Sequence, residues 1–381
     1  MRILIAPDSF KGSMTSLSAG KSMAAGIRSV IPNAWIEQVS LADGGEGTVD
    51  ALLAACGGEK VFHQVTGPMG DPVDGYYGVL PDGRIVMEVA ACSGLTQVDQ
   101  KQRNPWIAST RGLGEMLRHA LGRGPKEVII GLGGSATVDG GIGFLQAIGV
   151  KVLDRDNRDV LPGGQGLAKV ETMDPSSIDP RLKEVNVTVA SDVDNPLIGE
   201  EGGVRVFAPQ KGAGPELLPL LEEGMEHYAK KLSTFRQKIE QQAGGGSAGG
   251  LGAALLTFCN AKLESGFDLI SRIIGLEEKI ARSDLVLTGE GKMDSQTLHG
   301  KAPGGVACLA QKHGVPTIAF TGAIGSGVEL LQQKGIAAVY SIVNAPMSEQ
   351  EALLRGEELL EQAVRSFFQG VMATQIGVPA N

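Results

Sequence analysis

Residues 283–303 read SDLVLTGEGKMDSQTLHGKAP: a short apolar run, then glycines, hydroxyls, carboxylates and lysines, then Ala302-Pro303-Gly304. Leu285 to Leu287 has the character of a buried strand. Pro303 suits the first turn of a helix, where its missing N–H would have no partner in any case, and Gly314 suits that helix's C-terminus. The stretch is therefore predicted to be a strand, a polar loop and a helix in succession. That order recurs along the chain. Arg2 to Ala6 leads into PDSFKGS, Ile36 to Leu41 into ADGGEGT, and Glu127 to Ile130 into GLGGSATVDGG. Val185 to Ala190 leads into SDVDNP, and Thr317 to Phe320 into TGAIGSG. Apolar runs of this length, each ending in a Gly/Asp/Ser loop, predict buried parallel strands with crossover helices, an α/β fold class. Val49, Leu52, Leu53 and Cys56 carry the spacing of one helix face, with Gly57 placed to end that helix.

The order breaks at 67–91, GPMGDPVDGYYGVLPDGRIVMEVAA, which reads as strands joined by turns. Residues 215–242 read as a long charged helix, and QQAGGGSAGGLGAALL as a glycine-rich loop entering an apolar one. With 381 residues there is room for two domains. The expected division is a discontinuous domain of residues 1–68 and 283–381, with residues 69–282 inserted as a mixed α/β domain.

Composition narrows the function. A 42% hydrophobic, 20% charged chain is that of a globular protein in water, and no apolar run reaches the roughly 18 residues of a membrane span. The start, MRILIAPDSF, lacks a cleavage site for export, so a cytoplasmic protein is expected. A net charge of −9 argues against a nucleic-acid partner, because that binding requires clustered Lys and Arg against phosphates. Cys56, Cys92, Cys259 and Cys308 have no metal-ligand spacing and are expected to be buried free thiols. The 55 glycines, about twice average usage, point to many close backbone approaches.

Ligands of open parallel sheets bind outside the carboxyl ends of the strands, where the loops converge. In this chain those loops carry the unusual residues. GLGGSATVDGG could cradle phosphate oxygens with the amides of Gly133, Gly134, Ser135, Ala136 and Thr137. It is not a Walker A loop, since no Gly-Lys-Ser/Thr follows. It does satisfy a loose dinucleotide pattern at Gly131, Gly133 and Ala136, with Asp154 as the ribose-binding acid, which keeps a nicotinamide-dependent oxidoreductase open. Asp192 and Asp194 alternate along extended chain. Pro196 spoils a calcium loop, whereas Mg²⁺, which takes one or two carboxylates with phosphate oxygens and water, suits the pair. Asp8 and Lys11, Asp43 and Glu46, and Glu290, Asp294 and Lys301 add charge to the same kind of loop.

Together, DSFKGS (8–13), ADGGEGT (42–48), GGSATVDGG (133–141), ASDVDNPL (190–197), FAPQKGA (207–213) and GEGKMDSQTLHGKAPGGVA (289–307) resemble the bacterial type-1 glycerate kinases. The likeness spans nearly the whole chain. It implies a two-domain fold, one part flavodoxin/Rossmann-like, with the site in the cleft. It also implies Mg²⁺- and ATP-dependent phosphorylation of D-glycerate, generally at the 2-hydroxyl. For that chemistry Lys11, with Ser9 and Ser13, is expected to hold the substrate carboxylate. The 133–137 backbone and Lys301 would meet the ATP phosphates. Mg²⁺ would sit on Asp192, supported by Asp194 or Glu290, and Asp43 would act as base, with Asp8 as its competitor. A non-catalytic sugar-acid or nucleotide-binding regulator is the other open reading.

Overall fold

The computed structural model describes residues 1–298 and 302–376. In chain order its strands are β1 (Arg2–Ile5), β2 (Trp35–Gln38), β3 (Glu59–Thr66), β4 (Pro72–Val79), β5 (Ile85–Glu88), β6 (Glu127–Gly131), β7 (Lys151–Leu153), β8 (Thr172–Asp174), β9 (Asn186–Ala190), β10 (Lys262–Glu264), β11 (Leu285–Met293), β12 (Thr317–Ile324) and β13 (Ile336–Ser341). They fall into two compact units. One comprises Met1–Ala42 and the chain from Phe267 onward; the other is Asp43–Gly266.

In the first unit an all-parallel sheet runs β13-β12-β11-β1-β2. Counted within the unit this is the order 2-1-3-4-5 of flavodoxin-like sheets, whose ligand site lies where the strand order reverses, here between β1 and β11. The central strands are apolar because both faces are covered. The helix Ser16–Arg28, whose N-terminus is capped by Thr15 Oγ1 accepting from Ser18 N at 3.1 Å, buries Ala19, Met23, Ala24 and Ile27. The C-terminal helix Gly356–Ile376 packs Leu359, Leu360, Val364 and Phe368 into the same core. The two helices meet at Gly26, where a Cβ would lie 2.6 Å from the Glu361 carbonyl oxygen, so only glycine fits. Each fully buried Leu, Ile or Phe contributes roughly 1.5–3 kcal/mol.

The second unit is mixed. Its six-stranded sheet has the order β10-β9-β6-β5-β4-β3, in which β5, β6, β9 and β10 are parallel and β4 and β3 antiparallel. The helices Arg111–Leu121, Ile142–Ala147, Leu217–Leu232 and Leu251–Phe258 send Leu113, Phe144, Met225 and Leu255 into one core with the sheet. β7 and β8 form a separate antiparallel pair.

Two features differ from the sequence reading. The units divide at 42/43 and 266/267 rather than at 68/69 and 282/283. β3 is hydrogen-bonded along its length to β4, which carries residues 43–68 into the second unit. At the other cut, Phe267 lies against Gly305, while Lys279 and Arg282 hold Glu37 of β2. Secondly, β11 does not stop at Leu287. Gly289–Met293, glycine-rich and polar enough to read as loop, continues as strand because β12 also continues and pairs Lys292 with Ala323 and Met293 with Ile324.

Candidate functional site

At the switch point of the first unit, Asp8 N donates to Gly289 O at 2.8 Å, tying the chain after β1 to β11. Asp8 is 8% exposed, and its Oδ1 accepts from Ser9 N at 2.6 Å. The chain then turns tightly, with Phe10 N donating to Met14 O and Ser13 N to Phe10 O, and leaves Lys11 exposed on the turn. Ser13 Oγ donates to Leu353 O at 2.7 Å, so this hydroxyl anchors the turn. A Cβ on Gly291 would stand 3.3 Å from Lys11 N, so β11 passes close beneath the turn. Glu290 is 7% exposed and accepts from Thr297 Oγ1 at 2.6 Å, while that oxygen accepts from Asp294 N. One sheet edge thus gathers Asp8, Ser9, Lys11 and Glu290. Lys301 and His299 lie outside the described residues.

The second unit has its own carboxyl edge, where glycines allow backbone to touch backbone. Leu132 N donates to Ala190 O and Gly133 N to Gly44 O. A Cβ on Gly44 would stand 2.5 Å from Ala190 O, and one on Gly133 2.4 Å from Gly45 Cα. The ADGGEGT segment is therefore pressed onto the ends of β6 and β9. Asp43, half-buried, accepts from Gly45 N at 3.0 Å. Asp192, also half-buried, accepts from Gly266 N at 2.8 Å, and Gly266 lies against the Asp43 carbonyl. Asp194, two residues on, is exposed. Among the described residues no three Asp, Glu, His or Cys side chains gather closely enough to hold a metal ion. The chemistry available at each edge is therefore that of one or two carboxylates completed by ligand oxygens.

The 132–141 loop divides its amides between structure and surroundings. Gly133 N and Ala136 N are committed, to Gly44 O and Ser93 O. Among the described residues, the N–H groups of Gly134, Ser135 and Thr137 meet no protein acceptor; Gly134 is exposed and Ser135 lies just beneath it, so these two are the donors open to an anion, whereas Thr137 is fully buried. Asp154 serves a different purpose from the ribose-binding acid of a dinucleotide fold. It caps its own turn, accepting from Asp156 N at 2.8 Å and Arg158 N at 3.0 Å, and β7 pairs with β8 instead of extending the sheet beside β6. The supporting geometry for a nicotinamide site is absent there.

Three buried ionisable groups near this edge were not singled out by sequence. Glu88, at the end of β5, accepts from Gly47 N, Val49 N and Tyr76 Oη at 2.9–3.2 Å. Burial raises its pKa against the pull of those donors. Asp139 accepts from Thr110 N, Thr110 Oγ1, Gly141 N and Gly143 N, and burial likewise raises it. Lys211 is 3% exposed and donates to Ser135 Oγ and Thr137 O, both at 2.8 Å; burial lowers its pKa to about 7, with Asp139 opposing the shift. Their signal in the sequence was a charge at the end of an apolar strand (Glu88) or inside an uncommon string (Asp139, Lys211).

Comparison with known proteins accords with this arrangement. The model of the glycerate kinase family matches residues 3–372. The glycerate kinase of Halalkalibacterium halodurans is 44% identical over 366 residues, 96% of each chain. The glycerate 2-kinase of Escherichia coli K12 is 41% identical, over 92% of this chain and 93% of its own. A crystal structure of a glycerate kinase 2 candidate from Salmonella typhimurium LT2 superposes with a TM-score of 0.83 at 41% identity, covering 98% of this chain and 99% of that one. With a match of this extent and a flavodoxin-ordered sheet carrying an inserted mixed α/β unit, the chain belongs to the glycerate kinase family.

Proposed function

We propose that this protein transfers the γ-phosphoryl group of ATP to the 2-hydroxyl of D-glycerate, giving 2-phospho-D-glycerate and ADP. The observation that carries the reading is the pair of uncommitted amides at Gly134 and Ser135, in a chain that matches enzymes named glycerate kinases along nearly its whole length. In the second unit the 133–137 loop receives the ATP phosphates on the amides of Gly134 and Ser135, with Gly133, Ala136 and the buried Thr137 supplying shape rather than donors. Asp43 orients the glycerate hydroxyl and takes its proton as the new O–P bond forms and the bond from Pγ to the ADP oxygen breaks. Asp8 is the competing base. In the first unit Lys11 and the neighbouring Ser9 hold the substrate carboxylate, and Ser13 fixes the turn that presents them. Lys301 opposes phosphate charge. Phosphoryl transfer rests mainly on such positioning and charge neutralisation.

Mg²⁺ fits the donor set as an ion arriving with the nucleotide, held by Asp192 with Asp194 or Glu290 in support, because this ion usually keeps waters and phosphate oxygens beside one or two carboxylates. When bound it supplies charge for the phosphoryl oxygens. No helix among the described residues is long and apolar enough to cross a membrane, and we infer a cytoplasmic enzyme.

Phosphorus NMR of the protein with ATP, Mg²⁺ and D-glycerate, with L-glycerate in parallel, tests the reading. A 2-phosphoglycerate signal from the D-isomer alone is expected. 3-Phosphoglycerate would overturn the choice of hydroxyl, and no phosphorylated product from folded protein would overturn the activity. Lys11→Ala is expected to raise chiefly the glycerate KM, and Asp192→Ala to shift the Mg²⁺ requirement.

A further inference from the structure

Lys211 lies in a short 3-10 turn, Pro209–Lys211, and sends its ammonium group through the unit's interior to the glycine-rich loop. Its charge has no carboxylate in direct contact among the described residues. Asp139 is the charged group that acts on it, and Asp139 is already occupied by four donors from Thr110, Gly141 and Gly143. A lysine that is almost fully buried and lacks an ion-pair partner is costly unless the charge has a use. The loop's hydrogen bonding supplies one. In its ammonium form Lys211 can only donate, so it takes a lone pair of Ser135 Oγ and thereby directs the hydroxyl hydrogen elsewhere. Among the described residues that hydrogen has no protein acceptor. The same ammonium fixes the Thr137 carbonyl, one residue beyond Ala136, whose own N–H is held by Ser93 O.

We propose that Lys211 is the positioning residue of the phosphate-binding loop, orienting the Ser135 hydroxyl as a donor to a nucleotide phosphate oxygen and setting the curvature between Ser135 and Thr137. This rests on the reading that residues 133–137 take the ATP phosphates. Arg103 braces the same region from outside, with Nη1 directed at Gln210 O and Nη2 at Leu95 O, while Leu95 N holds Gly134 O. The turn carrying Lys211 and the loop it supports are thus tied at both sides. The mechanism assigned above to Lys11, Asp43 and Asp192 uses none of these contacts.

The test compares wild type, Lys211→Met, Ser135→Ala and the double variant, by ADP affinity in calorimetry and by steady-state kinetics. Charge-assisted hydrogen bonds are about twice as strong as neutral ones, so Lys211→Met is expected to weaken ADP and raise the ATP KM by roughly 10- to 100-fold. The glycerate KM should stay within about 2-fold. Ser135→Ala should produce a smaller loss of the same kind, and the double variant should be no worse than Lys211→Met alone, because both act through one donor. Wild-type ADP affinity in a folded Lys211→Met protein, additive losses in the double variant, or an equal rise in the glycerate KM would each overturn the proposal. If Lys211→Met fails to fold, Ser135→Ala decides alone: an ATP KM unchanged from wild type sinks it. ADP binding needs no acceptor, so absence of turnover with glycerate would refute the kinase reading while leaving this one to the calorimetry.

Discussion

Replacing Gly44 by alanine separates two reasons for which a chain uses glycine. Gly44 has φ +84° and Gly83, in the turn between β4 and β5, has φ +86°, so an L side chain meets the same backbone strain at each. That strain is about 1–2 kcal/mol. The surroundings differ. A Cβ at Gly83 meets nothing within 4 Å, whereas at Gly44 it stands 2.5 Å from Ala190 O and 2.8 Å from Ala190 C. Restoring ordinary contact requires a shift of roughly 0.9 Å, and forcing an extra methyl into a packed site typically costs 1–3 kcal/mol. Gly83→Ala should therefore lose about 1–2 kcal/mol in urea denaturation, and Gly44→Ala about 2–5 kcal/mol. The shift would carry Asp43 with it. Displacements near 1 Å can cost about 10²-fold in rate, so kcat/KM for glycerate should fall by that order in Gly44→Ala and stay unchanged in Gly83→Ala. Equal stability losses, together with wild-type kcat/KM in Gly44→Ala, would refute the argument that backbone contact at β9 sets this loop.

The thiols offer a second test. Cys308 is exposed, contrary to the expectation from sequence, whereas Cys92 and Cys259 are buried with thiols pushed up to about 12. Under native conditions a thiol reagent should modify Cys308 and spare the other two until denaturant is added, as peptide mass spectrometry would reveal; early labelling of Cys92 would contradict the packing. A third test concerns Lys211, whose pKa falls from 10.5 to about 7 on burial. Between those values the unfolded chain binds more protons, so stability should rise with pH across that window, at about 1.4 kcal/mol per pH unit and on the order of 5 kcal/mol in all. Denaturation curves at successive pH values should show this slope in wild type and its loss in Lys211→Met; identical slopes would place the lysine in a more polar environment than its packing indicates.

Much of the architecture was legible because parallel strands buried on both faces are written as short apolar runs, and each such run identified here became a strand. Local chemistry misled at Gly289–Met293, where glycine and charge suggest loop but a matching extension of β12 satisfies the backbone. The division between units was likewise set by partners distant in sequence. The site was legible as a set of loops, since glycine and carboxylate clusters mark strand ends, but not as a set of contacts. Ser13 looked like a substrate donor and is committed to Leu353, 340 residues away. Lys211 is not legible as a site residue from sequence, because its meaning depends on Ser135, 76 residues earlier. No periodicity carries that information.

The strand order of the first unit has a consequence for how the chain is made. β1 sits between β2 and β11, and its register with Leu285, Val286 and Leu287 can form only after the whole inserted unit has been synthesised. The ends of that insert lie side by side, with Gly266 against the backbone of Asp43, so its completion brings the two flanking segments together. During translation the inserted unit is thus the first able to close its core, and the N-terminal β-α-β segment waits with an open sheet edge. Destabilising the insert should therefore lower the yield of the first unit as well, through delayed assembly rather than through any weakening of that unit's own packing.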